Sequence, residues 1–397
     1  MCIPKIVDLR VLAPFAITLG SVLLPMTSMR ADSGCVNVHV ARPLEWSFST
    51  DWNLGKEGGL IFVDPIAGTL DRIDLAGVRT DLSSALDQGI EGTYRITGIT
   101  TLSREKVYLL LDTPRSANQK SRMLFLSRDF KYAGESPVTG RSSSDGYKIT
   151  RIYVWDVMED ERTVVALADL EKVSDDGPSD SSAIVTFSLE DDTFDVVERL
   201  PLDSPVRNLS RLRYPVLAAG ENELVFMSLK GESDKFSLEF SLRRSEGRSR
   251  GSRSYIDLKN KIVSPTSISL RGIQETYEEL SKEGFLSAVI LWHERLFVVE
   301  VESTDQKLVP FQWVMREVDR RTGKVKGIFL LPATSPHIMV IPGDDNWAIV
   351  EKGRVMAFNL QLIDAFWIVP SSMIESRRNS NETVDQEILC DTAKRSR

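Results

Sequence analysis

The sequence predicts an all-β chain in which small antiparallel sheets repeat around a ring. Three observations carry that expectation: one hairpin with clear turn chemistry, the return of its strand pattern down the chain, and the spacing between returns. The hairpin is residues 59–75, GLIFVDPIAGTLDRIDL. Leu60, Phe62, Ile73 and Leu75 alternate with less apolar neighbours, while Pro65 fixes φ in the turn and Gly68 relaxes it. A sheet that small cannot bury its apolar face alone, so it must stack on copies of itself.

The remaining elements follow in order. Residues 44–52, LEWSFSTDW, read as a first inner strand leading into the hairpin. A second set comprises residues 96–102, 107–113 and 122–127, with an outer run over 131–138. A third begins at Lys148 with ITRIYVWDV and continues through TVVALADL, AIVTFSL and FDVVERLPL. A fourth comprises PVLAAG, LVFMSL, FSLEFSL and residues 254–258. The fifth runs through LSAVILW, RLFVVEV, FQWVMREV and VKGIFLLP, and the last through HIMVIP, WAIVE, RVMAFNL and residues 365–369.

Second strands start near Leu60, Val107, Thr163, Leu224, Leu296 and Trp347, separated by 47, 56, 61, 72 and 51 positions. Blades of a propeller repeat at about 40 to 50 residues, and insertions lengthen loops rather than strands. The units therefore fit one six-bladed β-propeller of four-stranded antiparallel blades over residues 44–370 better than two sandwiches. One short helical insertion is expected within residues 260–284, where Ile268, Ile273, Tyr277 and Leu280 fall at helical spacing. In strand pattern residues 44–369 resemble the six-bladed β-propeller superfamily, and VDPIAGTLDRIDL is similar to the middle hairpin of many bacterial blades. The resemblance implies a ring with a central channel, ligands met on the face where inner strands begin, and a role in binding.

The flanks read differently. Lys5 and Arg10 precede an apolar run from Val11 to Met26 that is short for a bilayer span and broken by Pro14 and Pro25. That is the pattern of a signal peptide over residues 1–31, with an uncleaved membrane anchor as the competing reading. Residues 32–43 read as a linker and 371–397 as a polar C-terminal tail, helical from Met373 or held only at Cys390. After cleavage only Cys35 and Cys390 remain. A disulfide between them suits an oxidising compartment and a ring whose ends meet, while a lipid anchor on Cys35 and two free thiols stay open. With 49 Lys+Arg against 57 Asp+Glu the chain carries −8. Residues 1–31 hold Lys5, Arg10 and Arg30 against Asp8, so the exported part carries −10, which argues against nucleic acid or anionic lipid as a partner.

Candidate binding residues recur where inner strands begin: Tyr94-Arg95, Tyr147-Lys148 and Arg213-Tyr214, with His337 at the start of the last set. Aromatic faces stack on sugars and Arg pairs with carboxylate or phosphate, so these positions suit a glycan or a small anion; the alternative is packing between blades and a solvated rim. The cluster Arg243, Arg244, Arg248, Arg250 and Arg253 lacks interleaved aromatics and reads as a charged loop. Trp155-Asp156 and Trp292-His293-Glu294 sit near the opposite ends of inner strands and read as edge packing with solvated charges. Asp175, Asp176 and Asp180 have no EF-hand spacing, no His pair has metal-ligand spacing, and no cofactor is expected. The readings that follow are an exported, monomeric propeller binding a partner protein or glycan; a propeller hydrolase or lyase acting on an exported polymer; and an envelope lipoprotein anchored through Cys35. No transmembrane segment is expected in the mature chain.

Overall fold

The computed structural model describes strands and their adjoining turns between residues 35 and 390. Residues 1–34 and 391–397, together with internal segments that include 42–50, 84–94, 201–216, 243–253, 262–284 and 356–361, lie outside the described residues. The expected signal peptide, the helical insertion and the arginine cluster all fall there. Every described residue belongs to one contact unit, Ser33–Arg397.

In chain order the strands are β1 (Val36–Ala41), then β2 (Asp51–Leu54), β3 (Leu60–Asp64), β4 (Thr69–Ile73) and β5 (Arg79–Asp81), which form one antiparallel sheet. The second sheet is β6 (Arg95–Thr100), β7 (Lys106–Asp112), β8 (Ser121–Ser127) and β9 (Tyr132–Val138). A third group follows: β10 (Arg141–Ser142), β11 (Tyr147–Val157), β12 (Thr163–Lys172), β13 (Asp180–Ser188) and β14 (Thr193–Leu200). The fourth sheet is β15 (Leu217–Ala219), β16 (Glu223–Leu229), β17 (Lys235–Leu242) and β18 (Ser254–Lys261). The fifth holds β19 (Phe285–Trp292), β20 (Arg295–Ser303), β21 (Phe311–Val318) and β22 (Val325–Leu330). The last is β23 (His337–Ile341), β24 (Asn346–Val355) and β25 (Leu362–Pro370), followed by helix α1 (Ser371–Glu375) and strand β26 (Gln386–Ile388).

The fold is an all-β propeller of small antiparallel sheets. Where six like blades were expected, five are open sheets; the third group instead closes a hydrogen-bonded circuit, because Arg141 of β10 pairs with Lys148 of β11 and with Thr193 of β14. Inner strands touch in succession, β2 with β6, β6 with β11, β11 with β15, β15 with β19 and β19 with β23, and β23 returns to β2.

Sandwiching each sheet between two neighbours explains the apolar runs of the middle strands. Leu60 and Phe62 of β3 pack with Ile341, Val350 and Phe366 of the last sheet, whereas Ile61 and Val63 pack with Val107, Leu109 and Leu124 of the second. Both faces are buried, so apolar residues run continuously instead of alternating. The hairpin that anchored the sequence reading is present, with Leu60 opposite Ile73 and Asp64 opposite Thr69. It ends at Ile73: Leu75 lies in the following turn, 42% exposed, where the Asp74 carboxylate accepts the N–H groups of Ala76 and Val78 at 2.9 Å each.

Both flanks differ from expectation, for one reason. Residues 32–43 hold no mere linker, since β1 pairs with β25 over six positions, Val36↔Ile368 through Ala41↔Ile363, and supplies the outer strand of the last sheet. The polar tail likewise contains β26, which adds parallel to β22 with Ile328 opposite Gln386. A ring has no free edge at its seam if the chain's own ends fill it. Cys35, just before β1, is bonded to Cys390, two residues past β26, with Cα atoms 5.7 Å apart. The sulfur that a lipid anchor would need is thereby occupied. Helix α1 fastens the same seam: Ser371 Oγ donates to Gly343 O at 2.8 Å, and Arg295 donates to Ile374 O at 3.1 Å. No described helix is long and apolar enough to cross a membrane.

Candidate functional site

The site expected from the sequence lies where the inner strands β6, β11 and β23 begin. Arg95, Tyr147 and His337 hold those first positions. Tyr94, Arg213 and Tyr214 lie outside the described residues, and for Arg95 and His337 only the strand position is described. Tyr147 and Lys148 can be followed in full. The Arg199 guanidinium of β14 lies 4.5 Å from the centre of the Tyr147 ring, and Lys148 Nζ is 2.7 Å from Glu171 Oε2 on β12. Both members of this pair are therefore engaged within their own strand group. Lys148, 48% exposed at its side chain, still meets solvent.

A denser arrangement lies three residues further along β11. The ladder between β11 and β12 shifts register between Ile149 and Arg151 and again between Ile152 and Val154, so Thr150 and Tyr153 are bulged residues. Bulges re-aim side chains, and here both reach Asp169 of β12. Thr150 Oγ1 donates to the Asp169 backbone carbonyl at 3.1 Å, and the Tyr153 hydroxyl makes a short hydrogen bond to Asp169 Oδ2. From the other side Ser182 Oγ of β13 donates to Asp169 Oδ1 at 2.5 Å. Tyr153 and Ser182 are buried, and Arg151, exposed, places its guanidinium 5.0 Å over the Tyr153 ring. Alternation along the strand could not reveal this, because each bulge changes which face the next residue takes. The one legible signal was ITRIYVW itself, whose apolar residues do not keep a strict period of two.

At the opposite end, Trp292 ends β19 and packs edge-on against Trp347 of the last sheet at 5.2 Å, as edge packing predicts. His293 and Glu294 form the two-residue turn after it with φ of 46° and 62°, the left-handed geometry of a tight hairpin. His293 Nε2 stands 3.4 Å from Asp344 Oδ1, both half exposed. Asp156 Oδ1 accepts the N–H of Val157 at 3.0 Å. Among the described residues no group of three or more His, Cys, Asp or Glu is placed to hold a metal ion.

No protein-family model matches the chain, and no curated protein does. Solved structures with similar strand architecture include the calcium-binding protein regucalcin from Agrobacterium tumefaciens str. C58, at 8% identity and TM-score 0.37 over 80% of this chain and 88% of that one. A streptogramin B lyase matches at 9% and 0.37 over 85% and 99%. Virginiamycin B lyase from Staphylococcus aureus matches at 10% and 0.36 over 84% and 99%. Identities this low concern fold alone, and none of those activities transfers to this chain. The class that the strands define is the β-propeller.

Proposed function

We propose that this chain is an exported, monomeric β-propeller that binds a partner, a glycan or a protein, at the mouth where its inner strands begin, and that strands β11 to β14 act as the sixth blade. The observation that carries the reading is the succession of inner-strand contacts from β2 round to β23 and back to β2. It supports a common opening for Arg95, Tyr147, Lys148 and His337, the starting positions of three inner strands and the residue after one of them. The bond between Cys35 and Cys390 supports an oxidising destination, in agreement with the apolar N-terminal run.

A glycan array and affinity capture from an envelope extract test the binding reading, comparing the wild type with the double variant Arg95→Ala/Lys148→Ala. A ligand kept by the wild type and lost by the variant is the expected result; a ligand held equally by both removes the mouth from consideration. Intact mass of the protein recovered outside the cytoplasm tests export. The expected chain begins at residue 29 or 32 and is two hydrogens lighter than its reduced form, whereas a chain retaining residues 1–26 contradicts cleavage.

A further inference from the structure

We infer that the segment Gln386–Cys390 is a redox-held strap: cutting the bond between Cys35 and Cys390 loosens it from the outer edge of the fifth sheet while the ring stays closed. The inference goes beyond the binding reading above and shares only the bond with it. Strand β26 meets β22 at three positions, Ile328↔Gln386, Phe329↔Glu387 and Leu330↔Ile388, and the Leu389 N–H then donates to Leu330 O at 3.0 Å. The pairing is parallel, the weaker of the two ladder types, and three residues make a short ladder. Leu389 is buried in the core cluster and, with Cys390, supplies the apolar contacts described for the segment. Cys390 takes a left-handed φ of 64°, a conformation that costs free energy in residues other than glycine. Five residues are thus ordered for few contacts, against the entropy of each backbone unit fixed.

What tips the balance is where the ends of the segment are fixed. Before it, the chain is fastened at α1, where Ser371 Oγ donates to Gly343 O and Arg295 to Ile374 O, and Gln386 comes eleven positions after Glu375. After it, Cys390 is bonded to Cys35, and β1, which follows Cys35 directly, is locked into the last sheet over six positions. The bond therefore pins the far end of the strap to a fixed strand, at an effective concentration that a tether on one side alone does not supply. With the bond cut, the short ladder must hold itself. β1 keeps its own six pairs, and the ring keeps its closure.

Cutting is a two-electron step that a dithiol supplies. One thiolate of the dithiol attacks a sulfur of the bond, the other protein sulfur leaves as thiolate, and the second thiol of the reagent then releases the first protein sulfur. The reagent ends as a cyclic disulfide, and its two protons end on Cys35 and Cys390. Both cysteines are buried, so the reagent reaches them when the strap lifts.

The test is hydrogen exchange read by mass spectrometry on oxidised wild type, wild type reduced with dithiothreitol, and Cys35→Ala/Cys390→Ala, with intact mass recording the state of the bond. Positions 386–390 should lose protection by about ten- to a hundredfold in both proteins that lack the bond. Peptides of β1 and β25 should keep theirs. Reoxidation of the reduced wild type with oxidised glutathione should restore the protection, which separates release of the strap from any damage done by the substitutions. Unchanged protection at 386–390 after the bond is cut would overturn the proposal. So would an equal loss at β1 and β25, since the bond would then hold the ring and not the strap, and so would a wild type whose mass shows no bond.

Discussion

Removing the bond between Cys35 and Cys390 should lower stability through the unfolded chain, and the size of the effect can be worked out. The two cysteines are 355 positions apart. Closing a loop of that length removes about 20 cal/mol/K of chain entropy from the unfolded ensemble, about 6 kcal/mol at 25 °C. The folded ring has other means of staying shut: β1 is paired over six positions in the last sheet and β26 over three in the fifth. The double variant Cys35→Ala/Cys390→Ala should therefore fold to the same ring. With a denaturant slope of about 3 kcal/mol per molar urea, its midpoint should fall by about 2 M. The assay is urea unfolding followed by tryptophan fluorescence, run on oxidised wild type, reduced wild type and the double variant. Reduction should bring the midpoint close to the variant's, because both chains lack the bond and differ otherwise only in two thiol groups. A shift below about 0.5 M, with mass confirming that the bond was present, would refute the claim that it restrains the unfolded state.

Three further outcomes are expected. Asp71, fully buried, accepts Arg79 Nε at 2.7 Å and Nη2 at 2.8 Å, but Arg79 is 47% exposed and can turn to water; Asp71→Ala should cost about 1–3 kcal/mol in urea unfolding, not the larger loss of a doubly buried pair, and no change would contradict the pairing. A Cβ at Gly343 would stand 2.5 Å from Asn346 O and 2.7 Å from Leu54 Cδ1 across the seam to the first sheet, so Gly343→Ala should cost about 1–3 kcal/mol and lower Tm, and an unchanged Tm would argue against the close approach. The Asp81 carboxyl is held below its usual range, first by the Ser83 N–H, 2.8 Å away, then by the Ser83 hydroxyl, with Arg79 adding to both. A lowered folded pKa contributes stability above the unfolded value of about 4 and loses it as pH falls through the folded value; the gap between wild type and Asp81→Asn in urea should thus be steady near neutrality and shrink below about pH 4, and a gap that widened in acid would reverse the sign.

The strands were legible because burial on both faces writes itself as continuous apolar runs, as in LIFV and VYLLL. The seam was not. Asn37 and His39 interrupt β1, so VNVHVA looks like a polar lead-in, and among its described side chains Val38, 4% exposed, records its packing. β26 is three residues long, Gln-Glu-Ile, and pairs through backbone atoms, which leave no imprint on side-chain pattern. Strand starts were legible too, since Arg95, Tyr147 and His337 open β6, β11 and β23. What each side chain does was not: Arg199, which covers Tyr147, lies some fifty residues away in sequence, and the paired bulges at Thr150 and Tyr153 break the alternation that assigns faces.

Ring closure and the hydrogen-bonded group around Asp169 concern different parts of the ring, which makes them separable. The disulfide joins β1 of the last sheet to the segment after β26 of the fifth, whereas β11 contacts the inner strands β6 and β15. Asp169, Tyr153 and Ser182 all belong to the third strand group, so their hydrogen bonds need neither chain end. Cys35→Ala/Cys390→Ala should accordingly leave hydrogen exchange of the β11 to β13 amides as in the wild type at any urea concentration below its own transition, although that transition comes earlier. If protection of those amides fell in step with stability, the third strand group would depend on tension around the whole ring, and its independence of the closure would have to be abandoned.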